Sequence, residues 1–373
     1  MNSLKQLTFH RRELHKIPEL DRDLPKTKTY IRTILNTLDC KVFDVTGGIC
    51  AYFDRGSENT TAFRADMDAL PIKEINSHDF VSIHEGNMHA CGHDGHMAMV
   101  LSLAQYVDRE KELPCNVLCI FQPSEETTGG AKNICETGVL KKYNVTKIFG
   151  VHLWPFLDFG QIGSKTGPIM AKSSEINIEI FGKASHATKP ENGIDALLIC
   201  CEYIHKVYEA KANIDYLNDS ADESTIIRFG HMESGTARNV ISNHSLLQGT
   251  IRAFSEEKFM SMIRILKCTA SDFSEKTNCR ITFDYNEGYP PVINNDELYK
   301  KVLPEIKKNL KYMELDAPAM TSDDYSFYGL NIPSVFFFLG TGTNIDLHSN
   351  NFDFDESILV QGLELYKILL HTD

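Results

Sequence analysis

Hydrophobic positions in the first half of the chain switch repeatedly between two periods. Residues 4–14, and then Ile31, Ile34, Leu35 and Leu38, recur at helical spacing. Short apolar runs at residues 49–53, 60–65, 117–121 and 148–151 read as strands. Between them Met97, Val100, Leu101 and Ala104 mark another helix face. Helix and strand patterns that alternate in this way predict a mostly parallel sheet with helices on both faces.

From about Lys172 the pattern changes. Residues 175–180 alternate polar and apolar, which predicts a strand buried on one face only. A helix follows, with Leu197, Leu198, Cys201 and Ile204 as its stripe. Strands at 225–229 and 246–254, a helix carrying Phe259, Met262, Ile263 and Leu266, and a strand at 280–285 come next. The order βαββαβ is that of a ferredoxin-like sandwich. An α/β pattern then resumes, with an apolar strand at 334–339 and a closing helix at 358–369. The prediction is α/β: a discontinuous domain (1–171 and 287–373) with an inserted α+β ferredoxin-like lid (172–286).

Composition narrows the function. A chain of 373 residues exceeds one ordinary core and suits two domains. The net charge of −13 argues against nucleic acid, which is bound through a basic surface. No apolar run reaches the length of a membrane span. The opening Met1-Asn2-Ser3-Leu4-Lys5 lacks the basic start and apolar core of a signal peptide, so a cytoplasmic location is expected. The ten cysteines are scattered and read as reduced thiols. Cys40, Cys115, Cys119, Cys200 and Cys201 sit in apolar stretches and read as small buried hydrophobes. Cys91 is the exception.

Cys91 lies in His89-Ala90-Cys91-Gly92-His93-Asp94-Gly95-His96, where three histidines, a cysteine and an aspartate crowd into eight positions. Soft and borderline donors at that density suit a transition metal better than the alternative, a polar helix cap built on Asp94. Cys91 and His93 can point together from an extended loop. His96 falls in the first helical turn and reads as support from behind the ligands, and His89 as ligand or structural residue alike. A second signal is Gln122-Pro123-Ser124-Glu125-Glu126, directly after a strand. Adjacent buried carboxylates need a cation or a shared proton. With a metal, one glutamate is a ligand and its neighbour a base toward water. Open α/β sheets bind ligands at the carboxyl ends of their strands. Arg64-Ala65-Asp66-Met67-Asp68, Gly150-Val151-His152 and the segment ending Leu347-His348 share that placement.

These residues resemble the M20 metallopeptidase family, and most of all its subfamily D amidohydrolases: hippurate hydrolases, N-acyl-amino-acid deacylases and auxin-conjugate hydrolases. The likeness runs nearly end to end. It takes in His10-Arg11-Arg12-Glu13-Leu14-His15 with Pro18-Glu19-Leu20, and residues 64–71, 89–96, 123–126 and 150–154. It continues through 182–186, 249–254, Leu347-His348 and Phe352-Asp353. The resemblance implies two divalent transition ions (Mn, Zn, Co or Ni) bridged by the Cys91 thiolate. One would add His93 and His152, the other Glu126 and His348. Glu125 matches the family's base, and Asp68 a carboxylate that orients a ligand. Asp66 stands where peptidase branches carry a metal histidine. His186 resembles a lid histidine that stabilises an oxyanion, often in the partner subunit's site. Asn239 and Arg252 resemble substrate-binding positions.

The sequence departs from the family at Ala187-Thr188, where Pro-His is common. It departs again at Ser242, where Pro is usual, and at Asp323-Asp324-Tyr325 in place of Glu-Asp-Phe. The expected activity is hydrolysis of N-acyl amino acids, of N-acetyl or N-benzoyl type, by a homodimer joined through its lids. A dipeptidase or carboxypeptidase of the same mechanism, and a non-catalytic metal- or ligand-binding homologue, are the alternatives.

Overall fold

The computed structural model describes residues 3–215 and 220–372. They form two compact units. The first holds the chain up to Gly167, Ile293–Leu315 and the part from Asp324 onward; the second holds Pro168–Val292 and Asp316–Asp323. The sequence reading assigned 168–171, 287–292 and 316–323 to the first domain. Backbone hydrogen bonds explain the difference: the Ala319 N–H donates to the Ile169 carbonyl at 2.8 Å, and the Ala171 N–H to the Ala319 carbonyl at 3.1 Å.

The first unit is built on an eight-stranded mixed sheet, mostly parallel. At one edge Lys41–Val45 and Gly48–Phe53 form an antiparallel hairpin, and Gly48–Phe53 runs antiparallel to Asn116–Gln122. Asn116–Gln122, Thr60–Asp66, Val145–Trp154 and Ser334–Gly340 then lie side by side in parallel. Ile162–Ser164 pairs antiparallel to the last of these and carries Tyr312–Glu314 at the far edge. Thr60–Asp66, Asn116–Gln122 and Ser334–Gly340 are buried at every position, as apolar runs covered on both faces must be. Of the hairpin, only Lys41–Val45 escaped the sequence reading, because it buries only Val45 and shows no alternation.

Val145–Trp154 runs three residues past the strand read from sequence, so His152 lies within a strand and does not follow one. The helix His93–Arg109 is buried continuously from His93 to Ala104. Gly92 precedes it at φ 83°, a left-handed conformation that glycine adopts without a Cβ penalty. The helix Pro25–Leu35 starts on a proline, whose missing N–H costs nothing at that position, and stops before Leu38, which still packs on the core.

The second unit is a four-stranded antiparallel sheet in the order Arg280–Tyr285, Lys172–Phe181, His244–Ala253, Thr225–Ser234. Ile176, Ile178 and Ile180 alternate onto one face. There they meet the helices Ala196–Asp215 and Glu256–Thr277, the latter through Phe259, Met262, Ile263 and Leu266 as expected.

The first helix corrects the sequence reading. Its buried stripe is Ala196, Ile199, Cys200, Tyr203 and Val207. Leu197 and Leu198 are 42% and 55% exposed, Cys201 is exposed, and Ile204 is half-buried. The segment Ala196-Leu197-Leu198-Ile199-Cys200-Cys201 is apolar all round, so period alone cannot choose the stripe. Of the five cysteines read as buried, Cys115, Cys119 and Cys200 are, Cys40 is half-buried and Cys201 is not. Among the described residues no helix is long and apolar enough to cross a membrane.

The corrected register predicts unequal losses. Ile199→Ala should destabilise the second unit by about 2–5 kcal/mol, the usual cost of emptying a buried site. Leu198→Ser should stay within about 0.5 kcal/mol, as surface changes do. Denaturant unfolding of the two variants reads the difference, and equal shifts would restore the stripe drawn from sequence.

Candidate metal centre

The parallel strands deliver their carboxyl ends to one edge of the sheet, and the first unit gathers its chemistry there. Asp66 ends one strand, with Asp68 just beyond it; Glu125 and Glu126 follow Asn116–Gln122. His152 lies near the end of Val145–Trp154. Cys91 and His93 come from the loop and first turn of His93–Arg109. His348 sits in the loop after Ser334–Gly340, its backbone N–H donating to the Ala90 carbonyl at 2.9 Å.

Two donor triads meet at Cys91. Cys91, His93 and His152 have donor atoms within 4.8 Å of one another, and so do Cys91, Glu126 and His348. Cys91 Sγ is 3.5 Å from His152 Nε2, and Glu126 Oε1 is 3.3 Å from His348 Nε2. His93 Nε2 stands 3.7 Å from Glu126 Oε1 and 4.0 Å from Glu125 Oε2.

The donors suit cations. His93 Nδ1 donates to the Asp68 carbonyl at 2.8 Å, and His152 Nδ1 to the Leu153 carbonyl at 2.7 Å. Each ring therefore turns an unprotonated Nε2 into the site. His93 Nε2 is buried without a hydrogen-bond partner, an expensive state unless something charged completes it. Burial, with Glu126 and Glu125 beside it, pushes the Cys91 thiol well up; a cation would reverse that and draw out the thiolate. Burial holds His152 well below its ordinary value, next to His96, so it is the neutral ring a metal requires. Burial opposes the Glu126 charge, but the His348 hydrogen bond and His93 outweigh it and lower its pKa.

His96 is excluded as a ligand by its own bonds. Its Nδ1 donates to Asp66 at 2.6 Å, and its Nε2 accepts the Leu153 N–H at 2.9 Å. Asp66 is taken up by His96 and by Arg64 Nη1 at 2.7 Å. His89 is buried, and neither ring nitrogen has a hydrogen-bond partner; burial lowers its pKa to about 3.

Asp68 acts in two ways. Its carbonyl orients His93, while its carboxylate accepts the amides of Glu125 and Glu126 at 3.0 Å each. Sequence reasoning missed the brace behind that loop. Asp324 accepts from Arg64 at 3.0 Å, from Gln122 at 2.7 Å, and from the amides of Gly130 and Ala131 at 2.7 and 2.9 Å. A Cβ at Gly130 would meet the Pro123 carbonyl at 2.1 Å, so the loop closes only over glycine. The sole signal in sequence was the paired Asp323-Asp324.

The remaining expected residues lie in the second unit. His186 is exposed and bridges to Val240, and the Ala187 amide donates to the Asn239 carbonyl at 3.0 Å, so His186 and Asn239 are neighbours. Arg252 is half-buried and pairs with Ser173, at the far end of the strand from His244, which pairs with Phe181. Eight strand residues separate the two ends, roughly 26 Å. One unit therefore cannot present Arg252 and His186 to the same small ligand.

Residues 62–372 match the profile of peptidase family M20/M25/M40. A Staphylococcus epidermidis protein described as an uncharacterized hydrolase is 36% identical over 384 residues, covering 100% of this chain and 99% of its own. The crystal structure of a methicillin-resistant Staphylococcus aureus protein assigned as an aminohydrolase superimposes with TM-score 0.90 at 27% identity, over 98% of this chain and 96% of that one. The Bacillus subtilis YXEP protein, a dinuclear metal-binding peptidase of the M20 family, gives TM-score 0.86 at 28% identity, over 99% and 97%.

Asp68→Asn should weaken metal binding about 10–100-fold, the usual cost of disturbing a ligand's support. The amide replaces one acceptor with a donor, which then faces a backbone N–H. Chelator competition measures the change. Unaltered affinity in a folded variant would remove Asp68 from the metal's support.

Proposed function

This chain belongs to peptidase family M20/M25/M40, and on that premise we propose that it is a two-metal amidohydrolase that frees an amino acid from its N-acyl derivative. The observation that carries the reading is the pair of donor triads sharing Cys91, with Glu125 beside them. The residues resemble subfamily D, and the use of Asp66 supports that choice. Where peptidase branches carry a metal histidine, this chain has a carboxylate engaged by Arg64 and His96.

Two divalent transition ions, when bound, would supply Lewis acidity toward the amide carbonyl and a water nucleophile active at neutral pH. Cys91, His93 and His152 would hold one ion; Cys91, Glu126 and His348 the other. The mixed S, N and O donor set suits Mn, Zn, Co or Ni. Glu125 takes a proton from the attacking water and returns it to the leaving amine. Asp68 fixes Glu125 and Glu126 through their amides. His186 stabilises the developing oxyanion, and Asn239 and Arg252 bind the substrate. All ten cysteines are free thiols, which suits the reducing cytoplasm.

The second unit, read as a ferredoxin-like lid, would carry the contact of a twofold dimer. Its exposed His186 would serve the partner's metals.

A panel of N-acetyl and N-benzoyl amino acids against dipeptides, with each metal, tests the substrate class. Higher kcat/KM on the acyl amino acids is expected; preference for dipeptides would make the chain a peptidase. Glu125→Gln should lower kcat by about 10²–10⁴-fold, the span of general-base loss, with metal content unchanged. Loss of metal instead would exchange the roles of Glu125 and Glu126, and undiminished turnover would favour a base elsewhere. Mixing Glu125→Gln with His186→Ala should restore activity once subunits exchange, up to one working site per mixed dimer. Exchange without recovery would place His186 in its own chain's chemistry or in none.

A further inference from the structure

A second group of metal-competent side chains in the first unit shares no residue with the triads at Cys91. His15 closes the helix Ser3–His15, while Glu74 and His78 come from the segment that leads toward His89 and Cys91. His15 Nε2 lies 3.1 Å from Glu74 Oε1, and His78 Nε2 lies 3.3 Å from the same oxygen. Donor atoms of all three fall within 4.8 Å of one another. Ligands about 2.0–2.1 Å from a tetrahedral zinc stand roughly 3.3–3.4 Å apart, so these separations are those of neighbours on one ion.

The bonding around the group points the same way. His15 Nδ1 donates to Asp94 Oδ2 at 2.7 Å, which turns Nε2 toward Glu74, itself an acceptor. Although burial opposes its charge, Asp94 and Glu74 raise the His15 pKa to about 9, so without an ion a proton on Nε2 holds Glu74, and a bound cation would take that proton's place. Neither ring nitrogen of His78 makes a hydrogen bond. Glu74 is already braced by the Ser82 amide at 2.8 Å and by Asn76 at 3.2 Å. The His78 ring is stacked on Phe80 at 3.6 Å and 8°, which fixes its plane. A histidine whose far nitrogen is held by a carboxylate, as Asp94 holds His15, is the usual support of a metal ligand. His15 and Glu74 are 1% and 5% exposed, but His78 is 16% exposed.

We propose that His15, Glu74 and His78 bind a divalent transition ion of the zinc class, a third ion per chain. The ion would tie the 74–78 segment to the N-terminal helix. Through His15 it would also brace Asp94, the residue that follows His93 and is held by Arg11 as well. It therefore steadies the start of the metal-binding helix from behind.

The test uses the full chain and zinc alone. Elemental analysis after zinc saturation and dialysis should give close to three ions per wild-type chain. His78→Ala and Glu74→Gln should give close to two, with hydrolytic activity retained. Anomalous scattering from zinc-loaded wild-type crystals should place one peak among the three side chains; it decides the matter even where a variant fails to fold. No peak there, or an unchanged zinc count in folded His78→Ala, would overturn the proposal and leave a proton between His15 and Glu74. The peaks at Cys91 are read separately, so failure of the catalytic pair is distinguishable.

Discussion

Asp66, Asp68, Glu125 and Glu126 converge at the end of one sheet, nearly out of reach of water. Carboxylates so placed repel one another and lose their hydration. Each must be answered locally. Arg64 and His96 answer Asp66, and although burial opposes it, His93, Arg64 and His96 keep its pKa well below the ordinary value. Two backbone amides answer Asp68, but burial still pushes its carboxyl well up. Glu126 is left turned toward His93, His348 and Cys91. These groups are metal donors, and a cation among them resolves the repulsion that the protein leaves in place.

That constraint reaches far along the chain. The loop carrying Glu125 and Glu126 is fixed at one side by Asp68 and at the other by Asp324, about two hundred residues later in sequence. Asp324 also receives Arg64, so one buried guanidinium joins the carboxylate of the late segment to the one behind His96. The inserted second unit thus interrupts a domain whose parts meet at the site. Its removal from the sequence order explains why the α/β pattern breaks near Lys172 and returns at Ser334.

Much of the architecture was legible because strong patterns leave few choices. The continuous apolar runs at 60–65, 117–121 and 334–339 are central strands, and the alternation at 175–180 is a one-faced strand. What was illegible had no pattern to read. The edge strand Lys41–Val45 buries only Val45, the short strand Ile162–Ser164 is three residues long, and the helix at Ala196 is apolar on every side near its start. At the site, the density of His and Cys around residue 91 singled out the cluster, and the structure brings the five expected donors together there. The bracing of Asp324 and the pairing of His15 with Asp94 are long-range contacts between lone residues, which a single sequence does not reveal.

The two triads are unequal for a reason visible in their histidines. His93 and His152 each have Nδ1 held by a carbonyl and lie in buried, regular elements. Their geometry is fixed before any ion arrives, so binding there loses little conformational freedom. His348 sits in a loop at φ 64°, a left-handed conformation that costs a residue with a Cβ roughly 1–2 kcal/mol. Its side chain is 49% exposed. It is held by the backbone bond to Ala90 and by its approach to Glu126. The donors His93 and His152 therefore belong to the rigid core of the sheet, and His348 to its exposed rim.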